Sequence, residues 1–419
     1  MAERTRTVSL RLAQVADVRL GRQRAPQYEQ GEHVVPYLRS ANVVDGHLDL
    51  NDVKSMNFDP VEQTIFGLSD GDVLMTEGSG SAETVGTSAV WNADLPGTVC
   101  FQNTLLRLRP RAEVTDGRFL AWWARHAHAS GQIAAVSSGA NIKHIGSDGL
   151  KDLRIHVPAL HEQRRIADFL DDRVARIDQI ITARRQQSMA GENLFQARKE
   201  SLLYSTPEAA SLPLRRLRCL VQTGPFGSQL HSDEYVEDGW PVVNPACISR
   251  GRLHELRGMS VDEEVRARLA RHVLREGDIV FGRRGELGRA GLVTSSEVGW
   301  VCGTGSLLVR LFDDRARPAF IMNLLSTSRV RHYFQLQSVG STMDNLNTDI
   351  LLSVPLMLPA VEQQDGILDA VEVLESESAK ALRDVERSID LLAEYRQSLI
   401  TAAVTGEIDV TTAGSGIQG

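Results

Sequence analysis

The chain repeats itself. A shift of about 200 residues brings its two halves into register at one landmark after another, so two copies of one module must fold, and the period is too long for a solenoid. Ala41 to Leu48 aligns with Ala246 to Leu253, and LSDGDVLM from Leu68 aligns with LREGDIVF from Leu274. TVCFQNTLLRL from Thr98 aligns with WVCGTGSLLVR from Trp300 at a shift of 202, and IHVPALHEQRRI from Ile155 with LMLPAVEQQDGI from Leu356 at 201. ARKESLL from Ala197 matches EYRQSLI from Glu394. The drift in the shift, with order kept, is what loop insertions and deletions produce between duplicated modules.

Each module reads as about 150 residues of strand-rich sequence followed by a long helix. Short apolar runs such as GDVLM, TSAVW and NTLLRLR are bounded by Gly, Pro, Asp and Asn, which predicts short strands and turns. One short helix is expected around Phe119 to Ile133, with a counterpart at Phe320 to Phe334. The long helices follow Pro158 and Pro359. The second carries a seam at alternating spacings of 4 and 3 from Ile367 through Leu374 and Leu392 to Leu399, apolar but for Ser378 and Ser388; the first carries Leu170, Val174, Ile177 and Ile181 before turning polar. Both seams require a partner. Chain order makes the two helices antiparallel if they pack on each other, with the globular parts held apart about a pseudo-twofold axis. At about 1.5 Å per residue the first helix spans on the order of 60 Å, longer than the roughly 34–36 Å between DNA half-sites one turn apart. The fold class expected is α+β: two tandem mixed α/β domains, each followed by a long helix, with the helices forming an antiparallel coiled coil. The segments are 1–157, 158–206, 207–358 and 359–410, with 411–419 as a disordered tail.

Composition removes several function classes. No run of 18 apolar residues occurs and the start lacks the apolar core of a signal peptide, so a soluble, cytoplasmic protein is expected. The four cysteines, Cys100, Cys219, Cys247 and Cys302, form no CxxC pair and read as small buried hydrophobes. The formal charge of −8 argues against a nucleic-acid binder only on average. The last 59 residues hold 4 basic and 12 acidic groups, which accounts for the whole deficit and leaves the rest of the chain neutral. Of the 46 basic residues 41 are Arg, whose planar fork suits guanine and phosphate, although a GC-rich coding bias gives the same count.

Catalytic constellations are missing. There is no GxxxxGK[ST] phosphate loop, and GSGSAETVG at 78–86 lacks a strand-to-helix context and reads as a loop. Asn244-Pro245-Ala246-Cys247 lacks the second proline and the aromatic residue of an adenine methyltransferase tetrad. Asp52-Val53-Lys54 has no upstream carboxylate partner for a metal-dependent nuclease and reads as a turn. His126 and His128, at i and i+2, lie on different helix faces, and Trp122 and Trp123 read as core or partner-packing residues. What remains is polar chemistry on turns. Gly282 to Arg289 places three arginines in a Gly-rich hairpin suited to a major-groove contact or to a solvated turn, whereas the equivalent Thr76 to Ser81 has none. The two heads therefore read different sequences if they read DNA.

The repeat, the Pro-x-x-x-Glu/Gln-Gln-x-x-Ile helix starts and the order domain, helix, domain, helix together resemble the specificity subunit of type I restriction-modification systems. The matching stretches are PYLRSANVVDGHLD from Pro36, GPFGSQL at 224–230, the paired GDVLM and GDIVF strands, and Ser138 to Asp171. The resemblance implies two target recognition domains, each reading one part of a split double-stranded DNA sequence, and a coiled-coil spacer that docks two methylation subunits. It also implies that restriction (translocase and nuclease) subunits join later. S-adenosylmethionine, ATP and Mg would belong to those partners, with none in this chain, which would be non-catalytic. Candidate DNA-binding residues are Arg39, Asn42, Lys54, Ser79 and Lys143 in the first domain and Ser228, Asn244, Arg283, Arg284 and Arg289 in the second. Candidate methylation-subunit contacts are Ile166, Leu170, Ile177, Ile367, Leu374 and Leu392. In the second helix start, Glu362-Gln363-Gln364 sits one residue earlier than His161-Glu162-Gln163, which bears on how symmetrically the methylation subunits dock. The competing reading is a two-headed coiled-coil scaffold for protein or carbohydrate ligands.

Overall fold

The computed structural model describes residues 7–44, 46–79, 84–139, 143–226, 229–283, 288–337 and 346–410. The chain forms two compact units, Met1–Arg185 with Arg387–Gly419, and Gln186–Glu386. Each contains one strand-rich head and half of each long helix.

The two heads are built to one plan. In the first, a four-stranded antiparallel sheet runs in the order Ala16–Leu20, Leu105–Pro110, Val73–Thr76, Ser88–Val90; in the second the order is Cys219–Thr223, Ser306–Leu311, Ile279–Gly282, Ala290–Leu292. The GDVLM and GDIVF runs are interior strands whose residues are all buried, as apolar continuity without alternation requires. Beside each lies a three-stranded sheet. Val34–Leu38 pairs parallel with Cys100–Phe101 and antiparallel with Lys54–Asn57, and Trp240–Val243 pairs likewise with Val301–Cys302 and Ser260–Val261. The opening strand of each head, Val8–Arg11 or Ala210–Pro213, pairs antiparallel with the strand that feeds the long helix, Arg154–Val157 or Pro355–Leu358.

The sheet register corrects the sequence alignment by one residue. Tyr37 and Leu38 face Cys100 and Phe101, while Val242 and Val243 face Val301 and Cys302, so Cys302 is equivalent to Phe101 and not to Cys100. The short helices are also broken where one continuous helix was expected. Gly117–Ala129 stops before Gly131, whose φ of 80° is left-handed, and Gln132–Val136 follows. In the second head Pro318–Leu325 and Ser328–Gln337 are separated by Ser326 and Thr327, whose hydroxyls cap the carbonyls of Met322 and Leu324.

The long helices are Leu160–Leu203 and Val361–Thr405. They pair antiparallel: within the second unit Lys199 meets Glu375 at 2.9 Å, while a Cβ on Gly191, earlier in the first helix, would lie 3.7 Å from Leu382, later in the second. Within the first unit Asp178 meets Arg396 at 2.6 Å. Much of the apolar seam is consumed by the heads. Ile166, Leu170 and Val174 share the first head's core with Leu120, Trp123 and, from the far end of the second helix, Ile400, Ala403 and Val404. Leu203 joins Ile367 and Val371 in the second head's core with Phe320, Leu324 and Phe334.

Candidate nucleic-acid interface

In the first head, strand Val34–Leu38 runs into a tight turn at Ser40–Asn42 that presents Arg39. Asn42 builds this turn and is not placed to read a base. It is buried, its Oδ1 accepts from the Arg39 N–H at 3.0 Å, and its Nδ2 donates to the carbonyls of Asp49 and Asp52 at 2.8 and 3.2 Å. Arg39 and Lys54 are brought together by Asp52, which they meet at 2.5 and 2.6 Å. Lys54 first, then Arg39, hold its carboxyl below the usual carboxylate range. These cations line a cleft of about 700 Å³ with Arg24, Tyr37, Gln102 and Thr104. Two cations sharing one exposed carboxylate keep a net positive charge and free donors for phosphate oxygens.

Ser79 and Lys143, 64 positions apart, are register partners in an antiparallel bridge, and Lys143 is exposed. Thr104 ties this patch to the first: its hydroxyl accepts from the Ser40 N–H at 3.0 Å and its carbonyl from the Glu77 N–H at 2.9 Å.

The second head repeats the framework with different side chains. Asn244 starts the turn Pro245–Cys247 as Arg39 starts its own, with the same 2.8 Å backbone bond closing each turn. The Arg283 N–H donates to the Gly305 carbonyl at 2.9 Å, the bond that Glu77 makes to Thr104 in the first head. Asn244 Oδ1 accepts from the Gly305 N–H at 3.5 Å, so Gly305 gathers Asn244 and Arg283 into one site. Arg283 also donates through Nε to the Leu346 carbonyl at 3.2 Å. Two equivalent positions thus hold Arg39 and Glu77 in one head and Asn244 and Arg283 in the other. Arg284 and Ser228 lie outside the described residues.

Arg289 lies beside that site, its carbonyl accepting from the Gly282 N–H at 2.9 Å. It lines a cleft of about 620 Å³ with Arg250, Arg331 and Lys199. Sequence reasoning did not single out Arg250 or Arg331. The signal for Arg250 was available: it aligns in sequence with Asp45 of the first module, an arginine where the other copy has an acid.

The six expected partner contacts differ in exposure. Ile166, Leu170, Ile177 and Ile367 are buried within the chain, at 8% exposure or less. Leu374 and Leu392 are half-buried, and Leu374 lines a shallow groove of about 270 Å³ with Leu194, Phe195 and Val385. Trp122 and Trp123 are core residues, and Cys100, Cys247 and Cys302 are buried thiols. Among the described residues no group of three His, Cys, Asp or Glu is placed to hold a metal, and no helix is long and apolar enough to cross a membrane.

Comparison with known proteins agrees with this architecture. The family profile of the type I restriction modification DNA specificity domain matches residues 9–188 and again 231–387, one match per repeat. The type I restriction enzyme EcoKI specificity subunit of Escherichia coli K12 is 24% identical over 391 residues, covering 89% of this chain and 82% of that protein. The StySPI specificity subunit of Salmonella potsdam is 22% identical over 436 residues, covering 96% and 89%. In fold, the chain superposes with a TM-score of 0.72 at 17% identity on a chain from a structural study of complex assembly and conformational transition in a type I R-M system, covering 96% and 98%. It also superposes on the HsdS subunit of Thermoanaerobacter tengcongensis with a TM-score of 0.50 at 17% identity, covering 96% and 97%. The chain belongs to the type I restriction-modification specificity subunits, the non-catalytic component that confers DNA specificity.

Proposed function

We propose that the chain reads a two-part, asymmetric double-stranded DNA sequence, one part with each head, and carries adenine-methylating and nuclease subunits to it. The observation that carries this reading is the exchange of side chains on a common framework, Arg39 and Glu77 against Asn244 and Arg283. Arg pairs bidentately with guanine and Asn with adenine, so heads of one shape that carry Arg and Glu in one, and Asn and Arg in the other, at these two positions favour different base edges. Affinity comes from cations such as Arg24, Lys54 and Lys143 on phosphates, and specificity from the turns. S-adenosylmethionine, ATP and Mg would be held by the partner subunits, two of which methylate, and the complex would act in the cytoplasm where the genome is.

Co-expression with the methylation subunit, followed by modification-sensitive sequencing of host DNA, tests this. A split motif carrying methyladenine on both strands is the expected result. A verified, assembled complex that leaves no such motif would sink the proposal. The scaffold for protein or carbohydrate ligands is not favoured, since the family match spans both heads.

A further inference from the structure

The first turn of each long helix carries a fully buried glutamine that belongs to the head as much as to the helix. Gln163 Oε1 accepts from the Asp116 N–H at 2.9 Å, and its Nε2 donates to the carbonyls of Val114 at 3.0 Å and Pro158 at 2.8 Å. Gln364 repeats all three bonds: it accepts from the Arg317 N–H at 2.8 Å and donates to Arg315 at 2.7 Å and Pro359 at 2.9 Å. The shift between the two is 201, so the glutamine kept its place and the apparent one-residue offset of the second helix start belongs to the neighbouring glutamate.

One amide thereby ties together the exit of the last strand, the first turn of the long helix, and the entry to the head's own helix at Gly117 or Pro318. A second contact braces each joint. Arg118 reaches Asp168 at 2.7 Å and Asp171 at 3.1 Å, with the Trp122 indole donating to Asp171 at 2.8 Å; Arg317 grips Asp365 through two bonds of 2.7 and 2.8 Å. Tethering a head needs only a flexible linker, which carries no such network. A buried amide with both N–H groups and its oxygen engaged is directional, and no other side chain of that length offers two donors and an acceptor. Glu would turn a charged oxygen toward two carbonyls, and Met would leave those carbonyls and one N–H unpaired.

We propose that Gln163 and Gln364 are positioning residues that lock the angle of each head on its long helix, and so set how strictly the complex enforces the separation between the two parts of its DNA target. Both are inaccessible to DNA, so they act only through the joint. The proposal rests on the two-part target argued above.

The test uses the full chain assembled with its methylation subunits. The probes are a duplex carrying the site recovered by sequencing and the same duplex with one base pair added or removed between the two parts. The wild-type complex is expected to methylate the altered duplexes about 100-fold more slowly. Gln163→Met and Gln364→Met are expected to cut that preference about ten-fold while the rate on the native duplex stays within about three-fold. A parallel loss on all duplexes, or an unchanged preference, overturns the proposal. If the Met variants do not assemble, Arg118→Gln and Arg317→Gln decide: their side chains are 48% and 47% exposed, and each is expected to relax the preference in the same direction. An unchanged preference there overturns the proposal too. A wild-type complex that modifies no two-part site defeats the reading of the target itself, a failure visible before any variant is made.

Discussion

Arg250 holds a left-handed backbone, φ 49°, at the start of an Arg-Gly turn between two short strands. Asn, Asp and Gly tolerate that conformation, whereas a long side chain there costs on the order of 1 kcal/mol. Arg250→Asn is therefore expected to raise the stability of the second unit by about 1 kcal/mol, read as a higher urea midpoint, and to remove one cation from the cleft it shares with Arg289 and Arg331. A lower midpoint would show that the arginine stabilises its turn. Two buried histidines make stability depend on pH. Burial depresses the imidazole of His126, with Glu407 offsetting part of the shift, and burial followed by the charge of Arg271 depresses His272. As pH falls through about 6.5 the unfolded chain takes up protons that the folded chain refuses, so stability is full above that value and declines below it until the depressed folded values are reached. The urea midpoint should be lower at pH 5.5 than at pH 7.5, and the double variant His126→Gln, His272→Gln should flatten the difference. A double variant that keeps the whole difference would move the effect to other groups.

Each central sheet is pinned by an arginine and an aspartate on neighbouring strands or turns, and the two copies differ in exposure. Asp278 accepts from Arg310 Nε and Nη2 at 2.7 and 2.6 Å and from the Arg275 N–H at 2.7 Å; Asp72 accepts equivalently from Arg109 at 2.8 and 2.7 Å and from the Ser69 N–H at 2.7 Å. The Arg310 side chain is 12% exposed and that of Arg109 34%, so removing the carboxylate strands the first cation more completely. Asp278→Ala should cost about 3–5 kcal/mol and Asp72→Ala nearer 1–3; the reverse order in urea unfolding would refute the exposure argument. These aspartates were legible in sequence as the shared Gly-Asp of both strands, because a turn followed by an apolar run is a local pattern. The strand register was not. Cys100 and Cys302 look alike and invite alignment, but pairing with Tyr37–Leu38 and Val242–Val243 is a long-range property that residue identity does not encode. Asn42 misled for the opposite reason, since an amide on a turn reads as a base reader until its three bonds to its own backbone are seen. The buried role of Gln163 and Gln364 was hidden likewise, although the motif that contains them was visible.

At the scale of the molecule, sequence order assigns each head the helix that follows it, whereas compactness assigns each head half of both helices. Periodicity made the antiparallel pair legible, because chain order leaves no other arrangement, but it could not say that Ile400, Ala403 and Val404 close the core of the first head, some 250 positions from Leu150. The seam residues Ile166 and Leu170 face that core for the same reason. A fragment cut at the compact boundary, residues 186–386, keeps Leu203, Ile367, Val371 and the Gln364 joint with the second head. It is expected to be monomeric and to unfold cooperatively. A fragment cut at the sequence boundary, residues 1–206, keeps the whole first helix but loses Ile400, Ala403 and Val404. Ile166, Leu170 and Val174 then lose part of their cover, and apolar surface of that kind drives self-association. Size-exclusion chromatography with light scattering, beside urea unfolding of both fragments, separates the two divisions: a monomeric, cooperatively unfolding 1–206 alongside an aggregating 186–386 would restore the division by sequence order.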